Sequence, residues 1–246
     1  MRKNMLSIAV VGIALAGIVV YAAIRPAPPK APAGAADAQT PLILPAGVYT
    51  QQSPDYTIAA NYPTTTPLTS IANEKAIARM QSYIGGTISQ FKTNGNVAYP
   101  PGGAKETLQI KYLVSFSTRT VSYIFTVYEN TLGAHGNLFF HTFTFDTSTG
   151  VELTLADLFA PNSGYLDVLS TISRAQLPSV VGGNADMSFI TRGTTPETKN
   201  FENFFIDNGY LDILFDPYQV APYALGPQTL RIPLATLGTI LNPQYR

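Results

Sequence analysis

Apolar and polar residues alternate with a period of two through the middle of the chain. Leu108, Ile110, Tyr112, Val114 and Phe116 are interleaved with Gln109, Lys111 and Ser115. Val121, Tyr123, Phe125 and Val127 alternate with Ser122, Ile124 and Thr126, and Phe139, His141, Phe143 and Phe145 form a third row. Alternation of this kind sends successive side chains to opposite faces of a strand. Short polar links between the rows predict an antiparallel meander. Because Thr, Ser and aromatic residues fall on both faces, one face of the sheet is expected to be half exposed.

On either side the period lengthens. Ser70 to Ile84 has a partial apolar face, with Ser70 as its cap and Gly85-Gly86 as its stop. Tyr165, Leu166, Leu169 and Ile172 make the clearest helical stripe, ending before Pro178. Between them, Asp146 to Gly150 is turn chemistry, and Thr154 with Asp157 has the spacing of a capping box. Asp207-Asn208-Gly209 predicts a hairpin, and Leu230 and Ile232 a last strand closed by Pro233. Strands, helix and strands in that order, without a βαβ rhythm, predict an α+β fold: an antiparallel sheet with packed helices.

The N-terminal pattern is different. Met5 to Ile24 is twenty residues without a charge, about 30 Å as a helix. With Arg2 and Lys3 ahead of it, the run predicts a single transmembrane helix with the C-terminal part extracytoplasmic. A cleaved signal peptide is the alternative, although Tyr21-Ala22-Ala23 makes a poor cleavage site. Residues 25–47, rich in Ala and Pro, read as an extended spacer. The expected organisation is a tail over 1–4, an anchor over 5–24, the spacer over 25–47, an N-terminal region over 48–104 and a main domain over 105–246.

Composition narrows the function classes. The 246 residues include no cysteine, which excludes disulfides, thiol nucleophiles and cysteine metal sites. Fifteen bases balance fifteen acids, so binding to nucleic acid through bulk positive charge is not expected. Arg2, Lys3, Arg25 and Lys30 supply four of those bases, leaving the remainder mildly acidic.

Candidate chemistry is sparse. His135 lies in the small-residue loop Gly133-Ala134-His135-Gly136, where a loop-bonding, ligand-binding or base role is open to it. His141, within an aromatic row, reads as structural. The two histidines have no metal-ligand spacing, and no metal or cofactor is expected. Glu129, Asp146, Glu152 and Asp157 could supply paired carboxylates for glycosidic cleavage, which makes His135, Asp146 and Glu152 the alternative catalytic set. Asp216 to Pro227 carries three prolines, Gly226 and the tyrosines Tyr218 and Tyr223. It reads as an ordered recognition loop or as a loop packed on the sheet. His135, Asp216, Tyr218 and Tyr223 are the candidate ligand-binding residues.

Three motifs, two of them overlapping at Phe215 to Tyr218, resemble one family. FDPYQVAPYALGP (Phe215 to Pro227), GAHGNLFFHTFTFDTSTGVELTLADLF (Gly133 to Phe159) and NFFIDNGYLDILFDPY (Asn203 to Tyr218) are similar, in order, to the DUF3298 domain of RsiV-like anti-sigma factors. Leu132 stands where the family commonly has a further Gly. Residues from about Tyr56 to Thr93 resemble the DUF4163-like companion region. The resemblance implies an extracytoplasmic α+β domain of the bacterial cell envelope. It further implies a membrane-tethered binding module that recognises a lysozyme-like protein or peptidoglycan. With a tail of only four residues, sigma-factor binding is not expected of this chain. An envelope glycan hydrolase using His135 and nearby carboxylates, or a structural envelope protein, is the alternative.

Overall fold

The computed structural model describes residues 46–94, 103–183 and 185–246. Six strands form the larger sheet, in spatial order β1 (Ala46–Gln52), β2 (Tyr56–Pro63), β3 (Glu106–Phe116), β4 (Thr120–Asn130), β5 (Asn137–Asp146) and β6 (Glu152–Leu153). A second sheet holds β7 (Phe204–Asp207), β8 (Tyr210–Phe215) and β9 (Gln228–Pro233). Helix α1 (Ser70–Asn94) follows β2. Helices α2 (Tyr165–Val181) and α3 (Met187–Gly193) precede the second sheet, and the short α4 (Leu234–Leu237) follows it.

The α+β class holds, with two corrections. First, the larger sheet is mixed. The three alternating rows do form the antiparallel meander β3–β4–β5, but β2 runs parallel to β3, with α1 as the crossover between them. Adjacent parallel strands need a connection of this length. β1 starts at Ala46, two residues inside the expected spacer, and pairs antiparallel with β2.

Second, the expected transmembrane helix is not part of the described fold. Among the described residues no helix is long and apolar enough to cross a membrane. The longest, α1, carries Glu74, Lys75, Arg79 and Lys92. The apolar run over 5–24 lies outside the described residues, as do the tail and most of the spacer. The single-pass localisation and the membrane contact through 5–24 are corrected accordingly: the described fold is an α+β domain without a spanning helix.

α1 runs through Gly85-Gly86 rather than stopping there. Both glycines face solvent with no neighbour near their Cα, whereas Met80, Ile84 and Phe91 are buried against the sheet. Two interior glycines cost about 1 kcal/mol each, and burying Phe91 and part of Ile88 beyond them offsets that. α2 likewise continues past Pro178 to Val181 and stops at Gly182, where φ is 85°. The hairpin turn is as expected: Asn208 and Gly209 both have positive φ, joining Asp207 directly to Tyr210.

The two faces of the meander have different jobs. Tyr123, Phe125, Phe143 and Phe145 join Ile58, Met80, Ile84 and Phe91 in a core under α1. His141 is on this face and stacks on Tyr83 at 4.2 Å between centroids. Burial and the nearby Arg79 charge push its pKa down to about 4, which keeps it neutral. The other face carries the hydroxyl row, and where β7 crosses it that row is buried rather than half exposed. Ser122 and Thr144 bond each other at 2.9 Å, Thr144 Oγ1 donates to the Phe204 carbonyl, and Thr142 Oγ1 accepts from the Phe204 amide. Ser115 Oγ donates to the Ile206 carbonyl at 3.1 Å. The hydroxyls thus satisfy a strand backbone that has no sheet partner on that side.

Asp146, at the end of β5, closes the turn into β6. Its Oδ1 accepts from the amides of Ser148 and Thr149 at 2.8 and 2.9 Å and from Ser148 Oγ at 2.6 Å. Its Oδ2 accepts from Arg119 Nη2 at 3.2 Å and from the Tyr245 hydroxyl at 3.1 Å. Burial pulls the carboxyl pKa upward, but the Ser148 and Thr149 bonds and the Arg119 charge outweigh it and hold the group well below the usual range. A folded-state pKa below the unfolded value adds stability above the ordinary value of 3.8 that is lost as pH falls beneath it. Asp146→Ala is expected to cost ~3 kcal/mol in urea denaturation at pH 7. The gap from wild type should narrow below about pH 4; a gap independent of pH would remove the electrostatic account.

Candidate functional site

Two loops from different sheets meet on the surface. One joins β4 to β5 and contains His135; the other joins β8 to β9 and contains Asp216, Tyr218 and Tyr223. His135 is exposed, and its ring stacks on Tyr223 at 3.9 Å between centroids with 22° between planes. Its Nδ1 lies 3.0 Å from the Gly136 carbonyl. A carbonyl only accepts, so Nδ1 carries the proton. In the neutral ring Nε2 is then the acceptor, and it faces the Tyr218 hydroxyl at 3.0 Å. The Tyr223 hydroxyl donates to the same Gly136 carbonyl at 2.6 Å. Gly136 is needed for this approach, because a Cβ there would run into the Tyr128 ring.

Both loops hold a non-glycine residue in the left-handed region: Leu132 at φ 60° and Tyr218 at φ 70°. Each such residue costs roughly 1–2 kcal/mol. At Leu132 the positive φ is one that a glycine would adopt without that cost. The Asn130 side chain holds this turn by accepting from the Leu132 amide at 2.9 Å.

Asp216 joins the second loop to the larger sheet. Its Oδ1 accepts from the Phe140 amide on β5 at 2.8 Å, while its own amide donates to Gln219 Oε1 at 3.2 Å. Gln219 Nε2 then donates to the carbonyls of Gly193 and Asn200 at 3.2 and 3.0 Å. Burial pushes the Asp216 carboxyl up to about 6, the Phe140 bond opposes this, and the Glu202 charge adds to it.

The structure therefore brings His135, Tyr218 and Tyr223 into contact, with Asp216 two residues from Tyr218 in the same loop. It does not bring in Asp146 or Glu152. His135 precedes the start of β5 and Asp146 ends that ten-residue strand, a separation of about 30 Å. Asp146 is occupied by the turn, Arg119 and Tyr245, and Glu152 pairs with Arg79 at 3.2 Å. Among the described residues no three His, Cys, Asp or Glu side chains are grouped to hold a metal ion. Gln219 was not singled out by sequence; its partners are carbonyls of Gly193 and Asn200, and no side-chain pattern encodes them.

A raised carboxyl pKa acts on stability in the sense opposite to Asp146. The folded state binds the proton more tightly, so Asp216 makes the fold less stable as pH rises from 3.8 to about 6. Asp216→Asn should gain on wild type across that window in thermal or urea melts, since the amide oxygen can still accept from Phe140. An unchanged difference between pH 4 and pH 7 would contradict this.

Comparison with known proteins places the chain. Residues 156–235 match the family described as "Protein of unknown function (DUF3298)". The chain is 31% identical over 192 residues to peptidoglycan-N-acetylmuramic acid deacetylase PdaC of Bacillus subtilis (strain 168), covering 77% of this chain and 40% of that protein. It is 24% identical over 122 residues to immunogenic protein MPT64 of Mycobacterium tuberculosis, covering 50% of this chain and 52% of that protein. The chain thus spans between two fifths and about half of these relatives' length. Among solved structures, a DUF3298-family protein of Bacteroides fragilis NCTC 9343 superposes with a TM-score of 0.55 at 18% identity, covering 81% of this chain and 94% of that one. Another, from Pseudomonas aeruginosa PAO1, gives 0.52 at 17% identity, covering 82% and 96%. The expected membrane-tethered binding module with a lysozyme-like partner is corrected by these findings: no spanning helix occurs among the described residues, and the relative with a printed activity is a peptidoglycan-modifying enzyme. Residues 156–235 thus match the DUF3298 family, and the fold is one that two solved members of that family share.

Proposed function

We propose that this chain is a cell-envelope protein that acts hydrolytically on peptidoglycan glycan at the His135–Tyr218–Tyr223 cluster. The observation that carries this reading is the 31% identity, over 77% of the chain, to a peptidoglycan deacetylase. The cluster suits a sugar chain. Aromatic rings offer flat apolar faces, and their polar tips bond hydroxyl or acetamido groups at low entropy cost.

The chemistry follows from the tautomer. Nδ1–H of His135 is held by the Gly136 carbonyl, which leaves the Nε2 lone pair directed at the Tyr218 hydroxyl. A sugar hydroxyl or a water that displaces the tyrosine hydroxyl meets the same lone pair, and Nε2 can take its proton. Asp216, with its carboxyl pushed up to about 6, keeps a proton nearer neutral pH than an ordinary carboxyl does. This set replaces Asp146 and Glu152 as the carboxylate partner of His135.

A structural role without turnover is the second reading. It is favoured by one feature: both ring nitrogens of His135 are already bonded within the two loops. Incubation of the purified chain with peptidoglycan sacculi, followed by mass analysis of released and modified fragments, separates the two. The hydrolytic reading expects product formation that falls about 100-fold or more in His135→Ala and Asp216→Asn while both variants remain folded. Absence of product from wild type, or full activity in His135→Ala, would leave the structural role.

A further inference from the structure

Beside the aromatic cluster is a groove of about 340 Å³ whose lining includes Arg192, Thr195, Glu197, Lys199, Tyr218 and Gln219. Tyr218 is shared: it is half exposed at 50%, walls the groove, and presents its hydroxyl to His135. The floor is braced. Gln219 bonds the carbonyls of Gly193 and Asn200, and the chain approaches so closely that a Cβ on Gly193 would strike the Gln219 carbonyl.

The groove's charge is unusual for its surroundings. From Asp146 onward the sequence has ten acids and five bases. Arg231 pairs with Asp207, Lys199 with Glu197, Arg174 bonds Thr191 and Thr194, and Arg246 bonds Thr239 and Leu241. Among the described residues the Arg192 side chain alone of the five makes neither an ion pair nor a hydrogen bond, although its charge is felt by the Asp186 carboxylate at the start of α3. Its guanidinium rests over the Phe189 ring at 4.8 Å, which orients the plane without using its N–H donors. Lys199 and Glu197 neutralise each other and Asp186 does not line the groove, so among its lining residues Arg192 is the charge left unpaired.

We infer that this groove is a subsite for a carboxylate-bearing sugar unit, held by Arg192, next to the neutral-sugar platform of His135, Tyr218 and Tyr223. The inference rests on the peptidoglycan reading and adds to it which unit of the glycan is distinguished. A planar guanidinium with free N–H donors matches a carboxylate in a two-point contact, and a neutral N-acetyl sugar cannot supply that partner. Tyr218, between the two places, sets the register of the chain across them.

Calorimetric titration of the full chain with two glycans of equal length tests this. One is an N-acetylglucosamine oligomer; the other is a peptide-free peptidoglycan strand whose N-acetylmuramic acid units keep their lactyl carboxylates. Wild type is expected to bind the acidic strand about tenfold more tightly, less so in high salt. Arg192→Gln should abolish the preference while leaving affinity for the neutral oligomer unchanged, which also shows that the variant is folded. Tyr218→Ala should weaken both. Equal affinities in wild type, or a preference that survives Arg192→Gln, would overturn the subsite and leave the glycan reading standing. Binding of neither glycan would overturn the glycan reading itself.

Discussion

The buried Asp146 carboxylate is the tie on which the ends of the fold converge. Five donors reach its two oxygens, from the turn after β5, from Arg119 at the β3–β4 connection and from Tyr245 near the C-terminus. A carboxylate with 3% side-chain exposure is tolerable only with this degree of satisfaction. Its location has a consequence for packing: Tyr245 belongs to the core that gathers α2, α3 and the second sheet, while Arg119 and the β5 turn belong to the larger sheet. One anion therefore helps fasten two hydrophobic clusters, alongside the hydroxyl bonds to β7 and a small apolar contact of Ile124, Phe140, Phe205 and Leu214.

The junction of the two sheets is mostly polar. β7 lies across β3 and β5 and has its backbone satisfied by Ser115, Thr142 and Thr144. Asp216 does the same for the Phe140 amide on β5. Hydroxyls and carboxylates specify position in a way that apolar contact does not, because a misplaced strand would leave buried donors and acceptors unpaired. The cluster of His135, Tyr218 and Tyr223 is a product of that positioning, since its two loops belong to different sheets. Loops so held can sustain left-handed Leu132 and Tyr218.

A buried, fully bonded carboxylate and a half-buried one with a raised pKa are easily confused in sequence. Asp146 and Asp216 both follow an aromatic strand residue and both begin turns. One carries structure with its pKa forced down; the other stands beside the candidate site with its pKa pushed up. The number of N–H and O–H donors that each receives makes the difference: Asp146 has three from its own turn, at Ser148 and Thr149, and two from the distant Arg119 and Tyr245, whereas Asp216 has the Phe140 amide.

Much of the fold was legible in local pattern. The period-two rows over 108–145 became β3, β4 and β5 in the expected antiparallel meander, and Asn208-Gly209 became the turn that its φ requirements demand. These follow from steric preferences and from one face of each element being apolar, which are properties of neighbouring residues. The loops carrying His135 and Tyr218 were legible too, as small-residue and proline-constrained segments. What local pattern could not decide was long-range pairing. The parallel β2–β3 contact, the passage of α1 through Gly85-Gly86 and the removal of Asp146 and Glu152 from the site all depend on which surface covers which. That is settled by burial summed over the whole core, and only there does a ten-residue strand separate two residues that composition alone would have placed together.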